Sequence, residues 1–175
     1  MINDVKKLLK GLKGTLLMVS VNNEYLLDIA NKNKDLLEVY FLDRAKIFNG
    51  FGKAKKEKNN NNVKLRKLKR KFKNKLDYML CDVNGINIDL NRVIYNTYNI
   101  IGKKIIFYGI YDEYDVDIIS SKYKRFGCTT KKEIYKDGFI LEVNTSKINV
   151  SKLFIHKVGD LFRDIIEGIG NLLVS

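Results

Sequence analysis

Apolar residues at Val5, Leu8, Leu9 and Leu12 recur at helical spacing and run out at Gly11 and Gly14, which predicts a short amphipathic helix. The next stretch, Thr15–Val21, is apolar at nearly every position and partly β-branched, as expected of a strand buried on both faces. Asn22 and Asn23 make a turn, and Tyr25, Leu26, Ile29 and Ala30 give one face of a second helix. A second strand follows at Leu37–Leu42 and ends on Asp43. The pattern then weakens: Arg44 to Phe48 starts helical, and 53–62 holds lysines and four consecutive asparagines, which predicts a mobile loop. Val63, Leu65 and Leu68 permit a third strand.

Order returns at Leu76–Cys81, a fourth strand. Ile88–Ile101 repeats apolar residues at helical spacing and meets Gly102, predicting a long helix closed by that glycine. Lys104–Ile110 is a fifth strand and Val116–Tyr123 a short helix. Thr129–Tyr135 and Gly138–Val143 flank the Lys136-Asp137-Gly138 turn and predict a hairpin. Alternating strands and helices that finish in paired strands argue an α/β fold, a mostly parallel sheet covered by helices with an antiparallel C-terminal hairpin. Past residue 150, Leu153, Phe154, Val158, Leu161, Phe162, Ile165, Ile166, Ile169, Leu172 and Leu173 form a broad apolar stripe opposite charged residues, an additional C-terminal amphipathic helix. The expected organisation is one domain over 1–150 with that helix over 151–175.

A chain of 175 residues with 45% apolar residues can bury one core. No apolar run approaches the roughly 20 residues of a transmembrane helix. The lysines and apolar run of Met1–Val21 lack a small-residue cleavage site, so they are read as helix and strand and not as a signal peptide. Cys81 and Cys128 stand alone in their segments and His156 is the single histidine, which excludes a disulfide framework, a CxxC metal site and any multi-histidine site. No metal and a cytoplasmic location are expected. The net charge of +13 is concentrated: residues 53–75 carry twelve Lys and Arg against Glu57, a net +11. Within that window Lys64, Arg66, Lys67, Lys69, Arg70 and Lys71 surround Leu65 and Leu68, and Phe72 follows. Such a segment can neutralise nucleic-acid phosphates and stack a base, or it can be a solvated edge strand kept from aggregating by its lysines.

Several phrases carry a family resemblance. YLLDIA at Tyr25–Ala30, LLEVYFLDR at Leu36–Arg44, LDYMLC at Leu76–Cys81 and RVIYNTYNIIGKKIIFYG at Arg92–Gly109 resemble the first helix, second strand, fourth strand and fifth-strand region of class I S-adenosylmethionine-dependent methyltransferases. The resemblance covers about residues 5 to 145 and implies a three-layer, Rossmann-like fold. It implies that Asp43, the acid ending the second strand, holds the ribose of S-adenosylmethionine. It also implies that Asp82 and Asn84, just after the fourth strand, orient or activate a substrate, although Asp-Val-Asn-Gly is equally turn chemistry. The cofactor loop departs from the family: Ser20, Asn22 and Glu24 stand where its three glycines stand, and Met18 replaces its strand acid. Ser20 and Asn22 are the remaining cofactor-binding candidates.

Three functions of different classes fit this sequence. One is a methyltransferase-fold protein with a degraded cofactor site, kept as a non-catalytic binding or scaffolding module. A second is an active methyltransferase with an atypical loop. The third is a basic RNA-binding protein using 53–75. For the apolar stripe of 153–173, packing on its own domain is the first expectation, pairing with another protein or a second copy the next. Docking on a membrane comes third, because the helix charges balance and no cationic face favours anionic lipid.

Overall fold

The computed structural model describes residues 1–20, 24–43, 53–56, 61–64, 76–84, 101–110 and 116–174. In chain order these form α1 (Ile2–Gly11), β1 (Gly14–Ser20), α2 (Glu24–Lys32), β2 (Leu36–Asp43), β3 (Lys53–Lys56), β4 (Asn61–Lys64), β5 (Leu76–Asp82), β6 (Ile101–Gly109), α3 (Val116–Arg125), β7 (Thr129–Tyr135), β8 (Gly138–Asn144) and α4 (Val150–Val174). The strands make one mixed sheet in the order β4-β3-β2-β1-β5-β6-β8-β7. Its centre, β2-β1-β5-β6, is parallel, and an antiparallel pair extends each edge.

The period of two along each strand builds two cores. Leu17, Val19, Met79, Cys81, Ile105, Phe107, Phe139 and Leu141 project to one face, where Val116, Ile119 and Tyr123 of α3 and Leu153 of α4 cover them. The alternate residues Leu16, Met18, Val39, Leu80, Ile106, Tyr108 and Ile140 project to the other, beneath Val5 and Leu9 of α1 and Leu26 and Ala30 of α2. Strands covered on both faces must be apolar at successive positions, which is why GTLLMVS and IIFYG read as continuous apolar runs. The β7–β8 turn is made by Gly138 at φ +142°, where a Cβ would stand 2.2 Å from the Gly109 carbonyl oxygen.

Three expectations need correction. Ile101 does not close a helix: it opens β6, pairs with Leu76 and is 2% exposed in the core, and Gly102 lies inside the strand. The rest of the expected helix, 88–100, lies outside the described residues. The segment 53–62 is not a loop at its ends, since Lys53–Lys56 and Asn61–Lys64 form a ladder that pairs Lys53 with Lys64 and Ala54 with Val63. A polar, lysine-rich pair suits a sheet edge, where one face and one flank meet water.

The third correction concerns α4, which packs Leu153 of its stripe on the domain but leaves Phe154, Phe162, Ile165 and Ile166 exposed. Asn149 caps the helix, accepting from the Lys152 amide at 2.9 Å, and its own amide donates to the Phe126 carbonyl. Leu153 is buried at 1%, and His156 sets its ring edge-on to Phe126, with centroids 5.4 Å apart. Phe154, Ile155, Phe162, Ile165 and Ile166 are 49–68% exposed. At 3.6 residues per turn, Asn149, Leu153 and His156 share the side facing the domain, which leaves Ile155, Phe162, Ile165 and Ile166 on the opposite side. Among the described residues no helix is long and apolar enough to cross a membrane.

Candidate functional site

The chain moves outward from β1 to β2 and then returns to place β5 on the other side of β1. In an open α/β sheet the crevice for a ligand lies where this reversal occurs, at the carboxyl ends of the strands. Ser20, Asp43 and Asp82 are the last residues of β1, β2 and β5. Ser20 is level with Asp43 in the β1–β2 ladder, and the β1–β5 register, Val19 against Cys81, brings it level with Asp82. Three residues singled out in the sequence therefore meet in one row.

Hydrogen bonds knit the row to the exits of β5 and β6. The Ser20 hydroxyl, in a residue only 2% exposed, donates to Asp82 Oδ2 at 3.2 Å. Asp82 Oδ1 accepts from the Asn84 amide at 3.0 Å and from Asn84 Nδ2 at 2.7 Å, an Asx turn in which the side chain imitates a backbone turn. Asn84 Oδ1 in turn accepts from the Ile110 amide at 2.7 Å, and the Val83 amide donates to the Tyr108 carbonyl at 3.0 Å. Asp82 and Asn84 are thus joined to each other and to two neighbouring strands. A carboxylate whose oxygens accept in three directions within the protein is engaged in holding the turn.

If that network is structural, Asp82→Ala should cost about 1–3 kcal/mol, because the buried Ser20 hydroxyl loses its acceptor. Urea unfolding measures it, and a loss below about 0.5 kcal/mol, the range of an ordinary surface substitution, would show that the turn stands without the bond.

The other sequence candidates are scattered. Asn22 lies outside the described residues, as do Arg66, Lys67, Lys69, Arg70 and Lys71, while Lys64 ends β4 at the sheet edge. Cys81 and Cys128 are buried in the core, and burial pushes the Cys128 thiol up to about 11, far from a reactive thiolate. Among the described residues no group of His, Cys, Asp or Glu is arranged to hold a metal ion.

The opposite end of the central strands holds a cluster that sequence reasoning missed. Asp77 Oδ2 accepts from the Thr15 amide at 2.8 Å and the Thr15 hydroxyl at 3.1 Å, and Lys103 lies 2.8 Å from Asp77 Oδ1. Gly14, at φ +113°, leaves room for this carboxylate, since a Cβ there would stand 2.0 Å from Asp77 Oδ2. A cleft of about 560 Å³ opens beside it, lined by Leu8, Leu12, Tyr78, Lys103 and Lys104. Its lysines are partnered, Lys7 with Asp4, Lys103 with Asp77 and Lys104 with Glu142, so the cleft is not a free cationic pocket. It also lies at the amino ends of the parallel strands, away from the crevice where α/β sheets bind ligands. No protein-family model and no curated protein matches the chain.

Proposed function

We propose that the chain is a Rossmann-like, methyltransferase-fold protein whose S-adenosylmethionine site is degraded and which acts as a non-catalytic binding or scaffolding module. The observation that carries this is the Ser20–Asp82–Asn84 network at the strand-order reversal. A cofactor loop at that point needs a side-chain-free backbone so that the ligand can approach. Here the first glycine position of the family holds Ser20, buried and bonded across to β5. The residues present do not fit a closely packed S-adenosylmethionine. The parallel β2-β1-β5-β6 core and the antiparallel closing hairpin support the fold part of the proposal.

Calorimetric titration of the purified protein with S-adenosylmethionine and S-adenosylhomocysteine tests it. No heat and no thermal stabilisation at millimolar ligand are expected, and Asp43→Ala should leave the melting temperature in ligand unchanged. Micromolar binding that Asp43→Ala abolishes would overturn the proposal in favour of an active methyltransferase, with Asp43 on the ribose and Asp82 and Asn84 toward the substrate.

A further inference from the structure

The last turn of α3 and the first two turns of α4 flank an open cavity of about 480 Å³, lined by Lys124, Arg125, Lys152, Ile155 and His156. Small-ligand sites span roughly 300–1,000 Å³, so the space suits a small molecule. Three of the lining residues are cations and none is an acid.

Short-range packing brings these groups together. The Asn149 amide donates to the Phe126 carbonyl at 2.6 Å, and the His156 ring meets the Phe126 ring edge-on, which ties the start of α4 to the end of α3. Leu153, 1% exposed, anchors the same turn in the core. Lys152 and His156, four residues apart, stand one above the other on α4. Lys124 and Arg125, from the last turn of α3, complete the lining. The walls of the cavity are therefore set by the fold before any ligand arrives.

The cluster lacks counter-charge. Elsewhere lysines stand beside acids: Lys32 lies 2.6 Å from Asp28, Lys103 2.8 Å from Asp77, Lys131 2.7 Å from Glu133 and Lys132 2.5 Å from Asp117. Among the described residues Lys124, Arg125 and Lys152 have no such partner, and Asp160, one turn beyond His156, pairs with Arg163. Lys124 and Arg125 suit the carbonyl end of α3, where the helix dipole favours cations. Lys152 has no such support, because it stands in the first turn of α4, at the positive end of that helix, with no acid in the turn. An anion in the cavity supplies the missing charge.

We infer that this cavity binds a terminal phosphate, that of a phosphate monoester or a diphosphate, through Arg125, Lys124 and Lys152. His156 is a further hydrogen-bond donor, and Ile155 lies beside the organic portion. A guanidinium fork matches two phosphate oxygens and the ammonium groups add point charges. A terminal phosphate carries close to two negative charges at neutral pH. A phosphodiester carries one and is held along an extended track of cations, so cations gathered on one cavity favour the terminal group. A soluble ester and a lipid phosphomonoester share this chemistry. None of the lining residues belongs to the Ser20–Asp82–Asn84 network, so the site stands whether or not S-adenosylmethionine binds.

His156 is the single histidine, so its ring resonances report on this cavity alone. Titrating the full chain with inorganic pyrophosphate at constant pH should move them to saturation. Arg125→Gln with Lys152→Gln should weaken that binding by about tenfold or more, the loss expected when charge-assisted hydrogen bonds are removed. The melting temperature should not change, because both side chains are exposed. Glutamine at Arg66, Lys67, Lys69 and Arg70 together should leave the binding as it is. Saturation by pyrophosphate without capture on vesicles of phosphatidic acid in phosphatidylcholine supports a soluble ester, and capture that pyrophosphate reverses supports a lipid headgroup. Four results would each overturn the site: ring resonances that stay fixed at millimolar pyrophosphate, binding that survives the Arg125 and Lys152 double substitution, binding lost in the four-residue variant, or tighter binding of an oligonucleotide without a terminal phosphate.

Discussion

Replacing Phe107 by alanine is expected to destabilise the domain by about 3–5 kcal/mol, the cost of deleting a large buried ring and leaving its cavity. The residue is 0% exposed in the middle of β6, paired with Cys81 on one side and Leu141 on the other, and its ring centroid is 5.6 Å from that of Tyr123. Since domains of this size are stable by only about 5–15 kcal/mol, this one change removes a large share of the total. Urea unfolding followed by far-ultraviolet circular dichroism measures it. Ile134→Ala, on the 51% exposed side of the edge strand β7, is the control and should stay within about 0.5 kcal/mol. A loss at Phe107 no larger than at Ile134 would mean that β6 is not the centre of the core.

Asp77→Ala should cost about 2–3 kcal/mol at neutral pH, through loss of hydrogen bonds to a charged acceptor from the Thr15 amide, the Thr15 hydroxyl and Lys103. The effect has a pH signature. Burial pushes the Asp77 carboxyl up, but the Lys103 ammonium and the Thr15 donors outweigh it and hold the group below the usual carboxylate value. A carboxyl that binds its proton less readily when folded adds stability above its unfolded pKa of about 3.9, and that stability disappears as pH falls through the lower folded value. The gap between the native protein and Asp77→Ala should therefore be widest at neutral pH and close in acid below about pH 4. A gap that stays constant across that range would show that Asp77 acts by packing alone.

Much of the α/β fold was legible because strands and helices impose different periods on the same chain. The Lys136-Asp137-Gly138 hairpin and the apolar run of β1 were placed to within a residue or two. Where the sequence misled, local pattern and tertiary pairing disagreed. NIIGKKII satisfies either period, and the pairing of Ile101 with Leu76 decides for strand. The lysines and asparagines of β3 and β4 carry no alternation, because an edge hairpin needs little burial. For α4 the periodicity identified a stripe but not which of its residues meet the domain, which the burial of Leu153 decides among the described residues. The candidate site was legible as residue types only. That Ser20 bonds Asp82, and Thr15 bonds Asp77, follows from the β1–β5 register, which joins positions 62 apart in the chain.

That 62-residue span also governs the order in which the molecule can assemble. The β7–β8 hairpin closes through its own turn, an event of about 1–10 μs. The centre of the sheet cannot close in the same way, because the partner of β1 on its β5 side is not yet made when β1 is. At a synthesis rate of about 5–20 residues per second, β1 waits roughly 3–12 s for β5, with apolar side chains on both faces and an unpaired edge. The interval in which β1 waits unpaired on its β5 side is thus written into the strand order, and faster elongation through residues 21–82, which shortens it, should raise the yield of folded protein.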